Sequence, residues 1–231
     1  MASKLNRKFL LVVIGFSVAA ILLLTAVVLV NQLWIKNAER HIRAGDEFMA
    51  QGKAREALDE TFKLIIQRNL AAPQVYVHRD FMPRNLMMPG DAAEPRLGVL
   101  DFQDAVYGPI TYDIASLMRD AFLSWDEEFV LDITIRYWQA AQKAGLPVDP
   151  DFGEFWRGVE WMGLQRHLKV AGIFARLTIR DGKPKYLADA PRFIAYIRAT
   201  AGRYRELAPL LRLIDEVEGT QAVSGYAFGR V

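Results

Sequence analysis

One stretch of the sequence carries residues whose types and spacing suit phosphoryl transfer. His78, Arg79 and Asp80 are consecutive, Asn85 follows after four intervening residues, and a later apolar run ends on Asp101. An aspartate on a tight loop can accept the proton of an attacking hydroxyl, and amide and carboxylate oxygens are ligands that Mg²⁺ prefers. This order of base and metal ligands is typical of a phosphotransferase, whereas isolated polar turns would not explain it.

The same stretch resembles a known group of small-molecule kinases. HRDFMPRNLM (78–87) and GVLDFQDAVYGP (98–109) are similar to motifs of the aminoglycoside phosphotransferase and choline kinase family. Within that family they look like the bacterial sugar kinases of cell-wall recycling, which phosphorylate N-acetylmuramate or N-acetylglucosamine. The resemblance covers about residues 62–228. It implies transfer of phosphate from ATP, with Mg²⁺ as cofactor, to a sugar or amino-sugar hydroxyl.

The resemblance also implies a role for each candidate site residue. Asp80 corresponds to the catalytic base of the family, and Asn85 and Asp101 correspond to its metal ligands. His78 stabilises the catalytic loop rather than taking a proton. Asp113 matches a family position that braces this loop. Together these residues form the predicted active site.

Other polar residues near this site are assigned with less direct support from the motifs. Arg84 is predicted to offset phosphate charge and so to contact the nucleotide, with an exposed ion pair as the alternative. Asp104 is placed near the predicted metal position. Four residues on a later helix, which often lines the acceptor pocket in such kinases, are assigned structural roles: Glu160, Gln165, Arg166 and His167.

The composition limits the classes of protein that the chain can belong to. Its 231 residues suffice for one or two domains, and 52% of them are hydrophobic. The net charge of +2 gives no general attraction to nucleic acid. The chain has no cysteine, which excludes disulfides, thiolate catalysis and cysteine-ligated zinc.

The N-terminal residues have the pattern of a membrane anchor. Residues 1–8 form a short basic flank, and residues 9–30 contain no charged side chain. A helix of this length spans the hydrocarbon core of a bilayer, about 30 Å. A cleaved signal peptide has a shorter apolar core and a small-residue cleavage site, which residues 28–32 lack. The sequence therefore predicts a transmembrane helix over 9–30 and a single-pass protein of the bacterial inner membrane, with the orientation left open.

Residues 31–70 are predicted to form a helical hairpin and a linker. Small and apolar residues repeat at helical spacing on both sides of residues 51–53, in a pattern that resembles one tetratricopeptide-type unit. A single unit of this kind cannot bury its apolar faces alone. A spacer packed on the next domain is therefore favoured over a docking module.

Residues 71–231 are predicted to form a kinase-like C-lobe, which makes the fold class α+β and mainly α. Pro73 ends the preceding helical pattern, and short strands are expected over 75–77 and 97–100, on either side of the catalytic-type loop. Beyond Pro109 the apolar residues recur mostly at helical spacing.

The chain departs from the family at its N-terminal end. Kinases of this kind hold the triphosphate with an N-terminal lobe that contains a glycine-rich loop and a strand lysine. No two glycines are spaced G-x-G, and Lys53 and Lys63 lie in helical patterns. The sequence therefore predicts a C-lobe without the nucleotide-binding lobe and with impaired activity alone. A non-catalytic, membrane-tethered interaction module and a fusion of two unrelated gene fragments near residues 55–65 are the alternatives.

Overall fold

The computed structural model describes residues 40–41, 43–47, 49–88, 96–120, 123–183 and 190–219. Helices make up most of these residues, and the strands lie between residues 74 and 109. In chain order the helices are α1 (Ala54–Ala71), α2 (Thr111–Met118), α3 (Glu127–Lys143), α4 (Phe152–Ile179), α5 (Ala190–Arg203) and α6 (Ala208–Glu218). Residues 43–47 are also helical and precede α1.

Four short strands form two antiparallel pairs within the described residues. Strand β1 (Gln74–Val77) pairs with β4 (Val106–Pro109), so that Tyr76 lies opposite Tyr107. The smaller pair is formed by β2 (Leu86–Met87) and β3 (Gly98–Val99). The chain segments that join these strands carry the predicted site residues.

Helix α4 lies at the centre of the fold because it contributes to both apolar clusters of the core. On one side Trp161 and Leu164 pack with residues of α1, α5 and α6, including Leu64 and Ile197. On another side α4 packs with α2 and α3, whose buried residues include Ile114. The 28-residue helix begins at its N-cap, where the carboxylate of Asp151 accepts the N–H of Gly153 at 2.6 Å.

The helices that precede β1 are packed on the rest of the molecule. Leu64 of α1 is only 1% exposed. A side chain at Gly45 would come within 3.0 Å of Pro209 in α6, so the glycine permits a close approach there. Asp46 also forms an ion pair with Arg212 of α6. The predicted domain boundaries themselves are not tested by these contacts and stay predictions.

The predicted fold class is wrong in one respect, which is its transmembrane helix. No helix among the described residues is long and apolar enough to cross a membrane. The longest of them, α4, carries charged side chains along its length: Glu154, Arg157, Glu160, Arg166, Lys169 and Arg176. Residues 9–30, to which the transmembrane helix was assigned, lie outside the described residues. The transmembrane helix and the single-pass inner-membrane localisation are therefore withdrawn, while the mainly helical α+β class agrees with the structure.

Candidate active site

The loop between β1 and β2 contains the predicted base and has an uncommon backbone conformation. Arg79, which precedes Asp80, has a φ of 75°, in the left-handed region that non-glycine residues rarely adopt. The carboxylate of Asp113, in the first turn of α2, accepts the N–H of His78 at 2.7 Å and the N–H of Arg79 at 2.9 Å. These two hydrogen bonds hold the loop against the start of α2.

The ring of His78 connects this loop to the segment that follows β3. Its Nε2 lies 2.9 Å from the carbonyl oxygen of Leu100, so Nε2 is the protonated nitrogen and donates. The ring also contacts Phe81 edge to face, with centroids 6.0 Å apart. His78 Nδ1 is buried and has no hydrogen-bond partner in the part of the chain that the structure describes. This geometry suits a residue that positions the loop rather than one that takes a substrate proton.

Asn85 is bound to the backbone of the candidate base. It ends the 3₁₀ turn Pro83–Asn85, and its Nδ2 donates to the carbonyl oxygen of Asp80 at 2.8 Å. The backbone carbonyl oxygen of Asn85 accepts the N–H of Leu100 at 2.9 Å. Because the side-chain nitrogen serves the loop, the side-chain oxygen is the atom that can bind a metal.

Asp101 follows β3 at the same end of the hairpin as Asn85. Leu86 pairs with Val99, so the residue before β2 and the residues after β3 lie side by side. Asp101 is exposed and has a left-handed φ of 67°. Its Oδ1 accepts the Nε2 of Gln103 at 2.5 Å, which leaves Oδ2 as the second acceptor of the carboxylate.

The two remaining predicted residues lie at the surface beside this loop. Arg84 is exposed within the 3₁₀ turn. Asp104 is also exposed, and its backbone carbonyl accepts Arg79 Nη1 at 3.2 Å. The link from Asp104 to the loop is therefore made through the backbone, not through its carboxylate.

The donor set at the end of the β2–β3 hairpin fits Mg²⁺ if further oxygens complete the coordination. Asn85 and Asp101 offer an amide and a carboxylate oxygen, both hard ligands. Among the described residues there is no group of three or more His, Asp or Glu side chains that could hold a metal. Mg²⁺ usually keeps several waters and binds substrate phosphates, so a site with two protein ligands suits it.

Two residues that contact the loop were not in the predicted site. Ser116 Oγ donates to the carbonyl oxygen of Arg79 at 3.1 Å, and Arg166 Nη1 donates to the same oxygen at 2.9 Å. The guanidinium of Arg166 lies 5.1 Å from the centroid of the Tyr112 ring. Sequence reasoning assigned Arg166 a structural role and did not consider Ser116. The available signal was that Ser116 lies one helical turn after Asp113, on the same face of α2.

The comparison with known proteins gives the family of this chain. The sequence model of the phosphotransferase enzyme family matches residues 31–154, so the chain belongs to that family. The match begins within the segment that was assigned to the helical hairpin. The resemblance stated from the two motifs is confirmed.

Three curated proteins are similar to this chain over most of its length. An N-acetylmuramate/N-acetylglucosamine kinase of Neisseria meningitidis is 56% identical over 177 residues, which are 76% of this chain and 52% of that protein. Proteins with the same name from Pseudomonas putida and Pseudomonas aeruginosa are 56% and 51% identical, over 45% and 46% of their own lengths. The chain therefore spans about half the length of the curated relatives it matches.

Proposed function

We propose that the loop around Asp80 is the base- and metal-bearing half of the active site of an ATP-dependent amino-sugar kinase. The observation that carries this proposal is the arrangement of Asp80, Asn85 and Asp101, since Asn85 is hydrogen-bonded to Asp80 and shares one end of a hairpin with Asp101. The kinase family supports the reaction class. The relatives' names support N-acetylmuramate or N-acetylglucosamine as the acceptor.

In the proposed reaction the acceptor hydroxyl attacks the γ-phosphorus of ATP. A bond forms between the hydroxyl oxygen and phosphorus, the bond to the bridging oxygen of ADP breaks, and the hydroxyl proton passes to the carboxylate of Asp80. Asn85 and Asp101 would hold Mg²⁺ through their side-chain oxygens. A bound Mg²⁺ supplies neutralisation of phosphate charge. His78 and Asp113 keep the loop that carries Asp80 in place.

The residues that the structure describes offer few groups with which to hold a triphosphate. Strands in the described ranges form two sheets of two strands each, and the full sequence has no pair of glycines spaced G-x-G. Asparagine and aspartate bind Mg²⁺ weakly unless phosphate oxygens complete its coordination. We therefore expect weak ATP binding and negligible sugar phosphorylation by the 231-residue chain alone, because positioning supplies most of the catalysis.

The test is to supply a nucleotide-binding lobe, expressed separately from a relative, to the purified chain. With ATP, Mg²⁺ and N-acetylmuramate or N-acetylglucosamine, we expect sugar phosphate to form. Asp80→Asn should lower kcat by about 100-fold or more, since a general base contributes about 10²–10⁴. Asp132→Asn is the matched control, because Asp132 is exposed and pairs only with Arg136 of its own helix in the described contacts.

The outcomes separate the parts of the proposal. No transfer to either sugar in the presence of the added lobe would contradict the kinase function. Strong transfer by the chain alone that is lost in Asp80→Asn would support the kinase function and refute the expected dependence on a second lobe. Equal activity of Asp80→Asn and Asp132→Asn would refute the assignment of the base.

A further inference from the structure

The backbone on both sides of Asp80 is held by side chains from other parts of the fold. The carbonyl of Arg79, in the peptide group before Asp80, accepts Ser116 Oγ at 3.1 Å and Arg166 Nη1 at 2.9 Å. The carbonyl of Asp80, in the peptide group after it, accepts Asn85 Nδ2 at 2.8 Å. Each peptide group is planar, so fixing both groups restricts both backbone torsions of Asp80.

The hydrogen bonds to Arg79 oppose its tendency to leave the left-handed conformation. A left-handed φ at a residue with a Cβ costs on the order of 1–2 kcal/mol. Asp113 holds the N–H of Arg79, and Ser116 and Arg166 hold its carbonyl oxygen. Arg79 is therefore fixed at both ends, by two residues of α2 and one residue of α4.

Ser116 uses its hydroxyl differently from two other buried hydroxyl residues in the described helices, Thr61 and Thr134. Thr61 and Thr134 each donate to the carbonyl four residues earlier in their own helix, Ala57 and Val130 respectively. Ser116 is 0% exposed and instead donates out of its helix to the catalytic-type loop. Its hydroxyl therefore serves the loop rather than the helix that carries it.

The position of Arg166 beside the loop costs free energy, because part of its guanidinium is buried without a partner within the described ranges. Its Nε is buried without a hydrogen-bond partner in the residues described, although burying an unpaired donor costs about 1–3 kcal/mol. The guanidinium is placed over the ring of Tyr112, which lies on α2 beside Asp113. Tyr112, Asp113 and Ser116 thus form one face of α2 that, with Arg166, supports the loop.

We propose that Arg166 and Ser116 are positioning residues, which together fix the peptide group that precedes Asp80 and so place its carboxylate for proton transfer. The inference rests on the proposed function only in taking Asp80 as the base. The support of the loop itself is independent of any activity.

The first experiment measures this support directly in the full chain. Hydrogen exchange of the amides of His78 and Arg79, read by NMR, should be about fivefold faster in Ser116→Ala and in Arg166→Met. Ser116 and Arg166 share one acceptor, so the Arg79 carbonyl loses both of its protein donors only in the double variant. The acceleration of exchange in the double variant should therefore exceed the product of the accelerations in the two single variants. Arg166→Lys, which keeps a charged donor, should recover part of the wild-type protection.

Matched controls separate local from general loosening. Arg180→Met removes an exposed arginine at the end of the same helix, where it pairs with Asp181. Thr134→Val removes a buried hydroxyl bond that stays within its own helix, α3. Neither control should change exchange at His78 and Arg79. Wild-type exchange in the double variant, or equal acceleration in the controls, would overturn the inference.

The second experiment uses the chain with the added nucleotide-binding lobe. A positioning role predicts that Arg166→Met lowers kcat by about tenfold while KM for sugar and for ATP changes by less than about twofold, with partial rescue by Arg166→Lys. A change in KM alone would overturn the positioning role. If the wild-type assembly transfers no phosphate, the proposed function fails, whereas the exchange measurements still decide whether Arg166 and Ser116 hold the loop.

Discussion

At the scale of single residues, Asp113 shows how one carboxylate maintains an uncommon loop conformation. Its two oxygens accept the N–H groups of His78 and Arg79 at 2.7 and 2.9 Å. Hydrogen bonds to a charged group each contribute about 1.5–3 kcal/mol, which exceeds the cost of the left-handed φ at Arg79. The geometry next to Asp80 therefore depends on a residue of α2.

His167 is a second residue whose environment controls its chemistry. It is buried in α4, where its ring stacks on Tyr196 with centroids 4.8 Å apart. Burial first, and then the positive charges of Arg119, Arg166 and Arg192, lower the pKa of His167 from 6.5 to about 3. The folded protein therefore keeps this ring neutral at pH values where the unfolded chain protonates it.

This difference makes stability depend on pH. Below its unfolded pKa of about 6.5, His167 takes up a proton in the unfolded chain but not in the folded one, so stability is present above that pH and is lost as the pH falls toward 3. From about pH 7.5 to about pH 5, we expect the wild type to lose about 2 kcal/mol more than His167→Phe, which has no titrating ring. Urea unfolding at both pH values measures this. Equal losses in the two proteins would contradict the lowered pKa.

At the scale of elements, α1 is part of the core rather than an appended segment. Leu64 and Ile65 lie in the same cluster as Trp161 and Leu164 of α4. The other side of α1 is exposed, with Leu70 at 63% exposure. The helix therefore contributes an apolar face to the structure that supports the candidate site.

Truncation of α1 side chains tests this contribution. Leu64→Ala should destabilise the folded protein by about 2–5 kcal/mol, because it leaves a cavity in the core. Leu70→Ala, on the exposed side of the same helix, should change stability by less than about 1 kcal/mol. Urea denaturation of both variants measures the difference. Similar small effects would show that α1 does not share the cooperative core.

At the scale of the whole molecule, apolar side chains are exposed beside the predicted metal ligands. They belong to the β2–β3 hairpin and its flanks, where Met88 is 78% exposed and Phe102 is 67% exposed. Met87, Leu97 and Leu100 of the same region are also exposed. Contiguous exposed apolar patches mark interaction sites, ligand-binding grooves or aggregation-prone surfaces. Because this surface lies beside the predicted metal ligands Asn85 and Asp101, we expect a separately supplied nucleotide-binding lobe to cover it.

The exposed patch should be detectable in solution. Met88→Ser and Phe102→Ser together should lower the fluorescence of a bound apolar dye by about half, because dyes of this kind report exposed apolar surface. Val217→Ser is the matched control, since Val217 is as exposed as Met88 but lies on α6. Addition of the nucleotide-binding lobe should lower the signal of the wild type. An equal decrease of fluorescence in Val217→Ser would show that the dye does not bind preferentially to the patch beside the predicted metal ligands.

Local sequence determined the family and the approximate positions of two of the four described strands. Asp80, Asn85 and Asp101 were recognisable because their spacing lies within two motifs, and the strands expected over 75–77 and 97–100 correspond to β1 and β3. The assignment of these residues as base and metal ligands stays a prediction. The transmembrane assignment is withdrawn because no helix of the described residues is long and apolar enough to support it.

Only the tertiary structure decided which residues support the loop. Ser116 and Arg166 come from different helices, and both donate to the carbonyl of Arg79. The spacing of Ser116 and Asp113 puts them on one face of α2, but the sequence does not show that this face and Arg166 meet at the loop, because that depends on how α2 and α4 pack. The left-handed backbone at Arg79 and Asp101 has the same origin, since at non-glycine residues it persists only where surrounding contacts compensate for its cost.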